Sequence, residues 1–324
     1  MNIYEKIRDL WEKCPQDFEG RVQGWADNLE EKREAVKRDR SQFRAWKPLE
    51  VYVSYSFIKS GVFSIRFFGQ EVARLKILDG KKTLIIKEQH KKHNGKFFEL
   101  EGFGAGKYRW EETRQFRKHF KNLPNSEKSL KTGIEEHKLE WLFLQEMSKR
   151  SRKDKFSGKL ALIQPVKLAG CPFQMPLPIK GSSGKPEKGD GHIDILARRR
   201  REDRKVVLSL WELKDVGKLA EAVRQAYIYS VTLLLMLRSP SGRQWYRIFG
   251  FGGELRETLE VEGVVAVSKD QKPKLLEAAE KARDEMPLNV KEGKVKLYAC
   301  YYEPPPKTGI PHSLSIESFG PLLT

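Results

Sequence analysis

The chain has 324 residues, 39% hydrophobic and 33% charged, and its 62 Lys and Arg outnumber 44 Asp and Glu to give a net charge of +18. That apolar content, with seven Trp and seventeen Phe, excludes wholesale disorder, and the length accommodates two domains. The basic excess favours a phosphate backbone as partner, so nucleic acid is expected and a membrane is not.

The opening, Met1 to Trp11, is charged throughout, with no apolar signal core, and a cytoplasmic protein is expected. Ile3, Ile7, Leu10 and Trp11 share one stripe, which predicts helix through about residue 45. From Leu49 the pattern changes to short β-type runs at 51–57, 63–68, 72–77 and 83–87, predicting a small antiparallel sheet. Asn94-Gly95 suits a tight hairpin turn. The aromatic and basic run Tyr108 to Lys121 reads as a helix that either follows a backbone or packs its rings under the sheet. The polar, proline-containing segment 122–129 marks a boundary. Residues 1–125 are therefore expected to form a smaller helical and β-rich domain that binds substrate or partner, and 126–324 a second domain.

Ile134 to Lys149 has helix formers and one apolar face at Leu139, Leu142, Phe143 and Met147, with Ser126 or Ser129 as cap. A loop rich in Gly, Pro and Lys is expected from Cys171 to Gly189. Strands follow at 192–197 and 206–213, then a long buried helix over 220–237, whose apolar run Val231 to Leu237 is too short for a bilayer. Strands at 246–250, 264–267 and 295–301 and a helix at 272–283 complete a mixed α/β core. Cys14, Cys171 and Cys300 are too few and too scattered for a disulfide framework or a four-thiolate zinc site.

The chemistry concentrates in Gly191-His-Ile-Asp194-Ile-Leu and Leu208-Ser-Leu-Trp-Glu212-Leu-Lys214. Alternation along a strand puts Glu212 and Lys214 on one side and Leu213 on the other. If the two strands are hairpin neighbours, Asp194 lies beside Glu212 at a cross-strand distance of ~5 Å. A strand entering a core has no structural reason to carry Glu and Lys on one face. Gln225 and Tyr229, four apart on the following helix, share a face.

Together these residues resemble the PD-(D/E)XK nuclease superfamily, in its RecB-like branch with a Gln-x-x-x-Tyr element. The resemblance spans about residues 133 to 230. It implies a restriction-endonuclease-like mixed sheet flanked by helices and a DNA-cleaving hydrolase dependent on Mg²⁺, with Mn²⁺ as substitute. Asp194, Glu212 and the Leu213 carbonyl would hold the cation, Lys214 would hold the attacking water, and Gln225 and Tyr229 would contact or brace the substrate site. The family's acidic residue on the first helix, a further metal ligand, falls at Glu136 as first choice, with Glu135, His137 and Glu140 open. Asp190, four before Asp194, is the alternative ligand.

His90 and His93 lack partners for zinc, and neither Gly102 to Tyr108 nor Gly181 to Pro186 has the spacing of a phosphate loop, so ATP hydrolysis is not expected. Arg198 to Arg201 read either as a phosphate clamp or as a soluble hairpin tip. Three functions stay open: a nuclease, an inactive nucleic-acid-binding or assembly protein of the same fold, and a restriction-type enzyme read by its first domain. A homo-oligomer is compatible with each.

Overall fold

In the computed structural model the described residues are 1–39, 49–54, 62–78, 81–88, 103–122, 135–148, 160, 162–214, 217–304 and 313–323. The Asn94-Gly95 turn, most of the 122–129 linker and the Ser126 or Ser129 cap lie outside them.

The chain starts with α1 (Ile3–Lys13) and α2 (Pro15–Asp39). Asn2 and Glu5 cap α1 reciprocally: the Asn2 side chain accepts from the Glu5 N–H at 2.9 Å and the Glu5 carboxylate from the Asn2 N–H at 2.8 Å. Pro15 opens α2, where a missing N–H costs nothing. Ile3, Ile7 and Trp11, with Phe18, Val22 and Leu29, form the buried stripe of this helical pair.

Five strands follow as an antiparallel meander: β1 (Glu50–Ser54), β2 (Val62–Phe67), β3 (Gln70–Leu78), β4 (Lys81–Ile86) and β5 (Gly106–Arg109). α3 (Thr113–Asn122) buries Phe116 and Phe120 against this sheet, with the Phe120 ring 5.0 Å from that of Phe67. Of the two readings of this segment, the aromatic side is therefore packing. α4 (Glu135–Ser148) comes next.

β6 (Ile163–Pro165) and β7 (Lys167–Leu168) precede β8 (Cys171–Lys180) and β9 (Glu187–Ile193). The loop expected over 171–189 is thus largely two strands, a correction. Pro172, Pro176 and Pro178 misled the reading, yet their even spacing sets the missing donors along one edge of β8. β8 pairs antiparallel with β9 and parallel with β1. Backbone pairing therefore crosses the boundary expected at 125, and the two halves share a sheet in the order β5-β4-β3-β2-β1-β8-β7, with β9 on β8.

The second sheet is built from β10 (Ile195–Arg200), β11 (Val206–Leu213), β12 (Glu260–Ser268), β13 (Asn289–Val290), β14 (Gly293–Tyr302) and β15 (Ile316–Leu323). Its order is β13-β14-β12-β11-β10-β6, with β15 on β14. β11, β12 and β14 are parallel, and the other pairings are antiparallel. The crossover from β11 to β12 runs through α5 (Leu219–Arg238) and α6 (Gly242–Ile248), and α7 (Lys272–Ala282) joins β12 to β13. The molecule is mixed α/β with two mixed sheets. No helix among the described residues is long and apolar enough to cross a membrane.

The strand expected at 246–250 is instead α6 and the turn after it. Trp245, Ile248 and Phe249 recur at helical spacing and are buried, and the Trp245 indole N–H donates to the Val22 carbonyl of α2 at 3.1 Å. Tertiary packing outweighed the β preference of the aromatics.

α4 lies between the two sheets. Leu139, Leu142, Phe143 and Met147 join Ile195, Trp211 and Leu213 in one core, with the Phe143 and Trp211 rings 5.6 Å apart. Its other side meets the first sheet through Trp141 on Phe68, Glu140 on Arg66 and Gln145 on Glu50. The β2–β3 turn docks here too: Gly69 has φ +78°, and a Cβ on it would overlap the main-chain carbonyl of His137.

Candidate functional site

β10 and β11 pair with Ile195 opposite Trp211, and continuing that register by one residue sets Asp194 across from Glu212. Along β11, Leu208 and Leu210 pack on the same core as α5, whereas Trp211 and Leu213 pack on α4. Strand alternation therefore turns Glu212 toward α5, on the same side as Asp194. The Leu213 N–H donates to Asp194 Oδ2 at 2.8 Å, which fixes one carboxylate beside the other.

Glu212 is fully buried, and neither carboxylate oxygen has a hydrogen-bond partner. Burial drives its pKa well above the usual carboxylate range; the Asp194 charge adds to this and Lys214 opposes it. Asp194 is pushed up to about 7, first by burial and then by the charges of Glu136 and Glu140, with the Leu213 N–H and Lys214 opposing. A fully buried carboxyl with unmet lone pairs beside a partly buried one is a donor set for a hard cation. Among the described residues no group of three or more His, Cys, Asp or Glu is assembled to hold a metal ion. The Leu213 carbonyl belongs to the same strand end.

Lys214 follows the end of β11, close enough for its charge to act on both carboxyls, and its Nζ lies 3.7 Å from Glu136 Oε1. Its main chain is held by an N–H donated to the Ala266 carbonyl at 3.0 Å. Among the first-helix acids, Glu136 is thus the one against Lys214. Glu140 turns to the first sheet, 3.4 Å from Arg66 Nη1, and His137 Nδ1 stands 3.8 Å from Glu140. The side chain of Glu135 is outside the described residues. Asp190 is ion-paired with Arg21 of α2 and is not part of the carboxylate pair.

Gln225 and Tyr229, expected to contact or brace the substrate site, are 6% and 2% exposed. Both sit in the wall behind Glu212. Burial, then the Glu212 charge, lifts the Tyr229 hydroxyl to about 12, while Gln225 and the main chain of Gly181 and His192 oppose. A Cβ at Gly191 would come within 2.9 Å of the Tyr229 ring and 2.6 Å of the Ile179 carbonyl, so the glycine admits this ring.

Arg198, Arg199 and Arg200 lie in β10 rather than at a hairpin tip, and the run is not a free clamp. Arg199 grips Glu262 with two bonds, Nε to Oε2 at 2.6 Å and Nη2 to Oε1 at 2.5 Å, and lies over the rings of Tyr298 and Phe319. Arg201 donates to the same Glu262 at 2.9 Å and pairs with Glu260. Arg198 donates to the Gly250 carbonyl at 2.7 Å. These three guanidinium groups hold the second sheet together.

Sequence reasoning missed a cluster from β1 and β2. Glu50 is pushed up to about 7 by burial, and Gln145 of α4 donates to it at 2.7 Å. Arg66 lies 4.2 Å over the Tyr52 ring while reaching Glu140. The only sequence signal was Ser64 and Arg66 at alternate positions of an otherwise apolar strand. Comparison of the chain with protein-family models, curated proteins and solved structures gives no match in any of the three.

Proposed function

We propose that this chain is a metal-dependent nuclease that hydrolyses DNA phosphodiester bonds, with a core of the restriction-endonuclease type. The observation that carries the reading is Glu212: a fully buried carboxylate with no hydrogen-bond partner, set across from Asp194 and within reach of the Lys214 charge. Burying such a charge is costly unless something positive completes the site. The order α4, β6, β10, β11, α5, β12, with two antiparallel pairings followed by a parallel one across a helix, supports the core assignment.

Asp194, Glu212 and the Leu213 carbonyl are the groups that would hold Mg²⁺ or Mn²⁺, which when bound supplies the charge that activates water and offsets charge on the phosphoryl oxygens. Lys214 donates to the attacking water and to a phosphoryl oxygen as negative charge accumulates there. Water oxygen bonds to phosphorus and gives up a proton to solvent, the bond to the leaving ester oxygen breaks, and a solvent proton neutralises that oxygen. Glu136 holds Lys214 at the mouth until a phosphate displaces it. Tyr229 and Gln225 keep the wall behind Glu212 closed to water. The reading includes a cytoplasmic setting and nucleic acid as the partner.

The test is cleavage of labelled single- and double-stranded DNA, linear and circular, with Mg²⁺, Mn²⁺ or EDTA, for wild type, Asp194→Ala and Lys214→Ala. Metal-dependent cutting lost in both variants supports the reading, and cutting of circles marks an endonuclease. Wild-type binding without cutting overturns it for DNA and leaves a binding protein.

A further inference from the structure

The pairing register of the first sheet sorts its side chains onto two faces. Residues directly opposite in an antiparallel pair share a face, as do residues two apart in one strand. One face runs Val53, Phe63, Leu75, Leu84 and Tyr108 across the five strands and is packed into the main core. The other runs Tyr52, Ser64, Arg74, Ile85 and Lys107 in one row and Val62, Lys76, Thr83 and Arg109 in the next, with Lys81 opposite Leu78.

That second face is cationic. It carries Arg66, Arg74, Lys76, Lys81, Lys107 and Arg109. Lys81, Lys107 and Arg109 are exposed and Lys76 is half-buried; none of the four makes an ion pair among the described residues. Arg74 is matched by Glu71 at 2.9 Å, and Arg66 by Glu140 of α4. The face ends, at β1 and β2, against the helix that also presents Glu136 to Lys214. β5 stands three strand spacings, ~14 Å, from β2, within the width of a nucleic-acid duplex.

We propose that this basic sheet face is the track on which a DNA duplex lies, its phosphates held by Lys76, Lys81, Lys107 and Arg109, leading the backbone past Arg66 toward the carboxylate pair. The choice of nucleic acid rests on the nuclease reading, because the cations run toward the groups assigned to phosphodiester chemistry. Charge complementarity is the independent support: exposed cations without ion-pair partners among the described residues release counterions when phosphates replace them. The face completes the site from a part of the chain that carries none of the catalytic motif.

The experiment is fluorescence anisotropy of a labelled 30-base-pair duplex with the full chain in EDTA, where no cutting occurs, over a series of salt concentrations. The variants are Lys107→Glu/Arg109→Glu and, as an equal charge change elsewhere, Lys274→Glu/Lys291→Glu; Lys274 and Lys291 are exposed outside the first sheet. The first pair is expected to weaken binding at least about 10-fold and to flatten the salt slope by about two units, the second to stay within about 2-fold of wild type. Equal losses in both pairs, or no loss in the first, overturn the proposal. So does a first pair that loses only its attachment to phosphatidylserine vesicles. Because the assay contains no metal and reads binding alone, failure of the track is distinct from failure of the nuclease, which the cleavage assay reads.

Discussion

The main-chain N–H of Leu213 donates to Asp194 Oδ2 at 2.8 Å, so the residue between Glu212 and Lys214 in sequence holds the carboxylate that faces Glu212 in space. Asp194 thereby has one oxygen committed to the protein, whereas Glu212 has both uncommitted. The two acids are unequal partners for a cation.

Glu212→Gln therefore separates structure from metal binding. The amide removes a buried acid that nothing neutralises, so its unfolding midpoint in EDTA should equal or exceed that of wild type. Added Mg²⁺ at ten times its Kd should raise the wild-type midpoint by about 2 °C, from about 1.4 kcal/mol of linkage, and leave the variant unmoved. Differential scanning fluorimetry reads both; an equal Mg²⁺ response in the two proteins would remove Glu212 from the cation site.

Glu50 gives a stability signal dependent on pH. Its folded pKa of about 7 lies above that of an unfolded glutamate, so its stabilising contribution is complete below the unfolded value and is lost as pH rises through 7. Glu50→Gln cannot ionise. The midpoint of the variant relative to wild type should climb between pH 5 and pH 8 and level off above, measured by thermal melts in matched ionic strength. A difference that is flat across this range would contradict the buried carboxyl.

Gly69 and Gly20 predict opposite outcomes for one substitution. Ala at 69 meets both a positive φ and the His137 carbonyl, and should cost about 2–3 kcal/mol while displacing α4 from the hairpin. Ala at 20 lies inside α2 with open space around it and should stabilise by about 0.5–1 kcal/mol. Chemical denaturation of the two variants side by side decides.

The arginine turn supplies the fourth test. Arg199→Ala leaves Glu262 buried with Arg201 alone and should cost about 3 kcal/mol, whereas Arg200→Ala, at an exposed neighbour, should stay within about 0.5 kcal/mol. If Arg199→Ala melts like wild type but binds duplex more weakly, the turn is a phosphate contact after all.

Local pattern carried the centre of the site and little of its surroundings. The register that pairs Asp194 with Glu212 follows from two short strands and a tight connection, all within twenty residues. Long helices were legible for the same reason: α4 and α5 have apolar periodicity over many turns. β8 was not, because prolines whose missing donors share one side of a strand still look like loop composition. α6 was not, because aromatic residues favour strands until a helix such as α2 offers them a partner. Arg66 and Glu50 meet α4 across at least 74 residues of chain, a separation no local pattern encodes. The choice among Glu136, His137 and Glu140 depended on how α4 is rotated between two sheets, which only their packing sets.

The position of α4 between the sheets also bears on how this chain can be divided. A fragment beginning near residue 126 would keep every residue of the proposed motif, yet it would leave β8 without β1 and Trp141 without Phe68. It would also free Asp190 from Arg21 and open the Val22 carbonyl from the Trp245 indole. Excision at the apparent linker removes walls rather than an appendage, so the motif-bearing half is not a portable module.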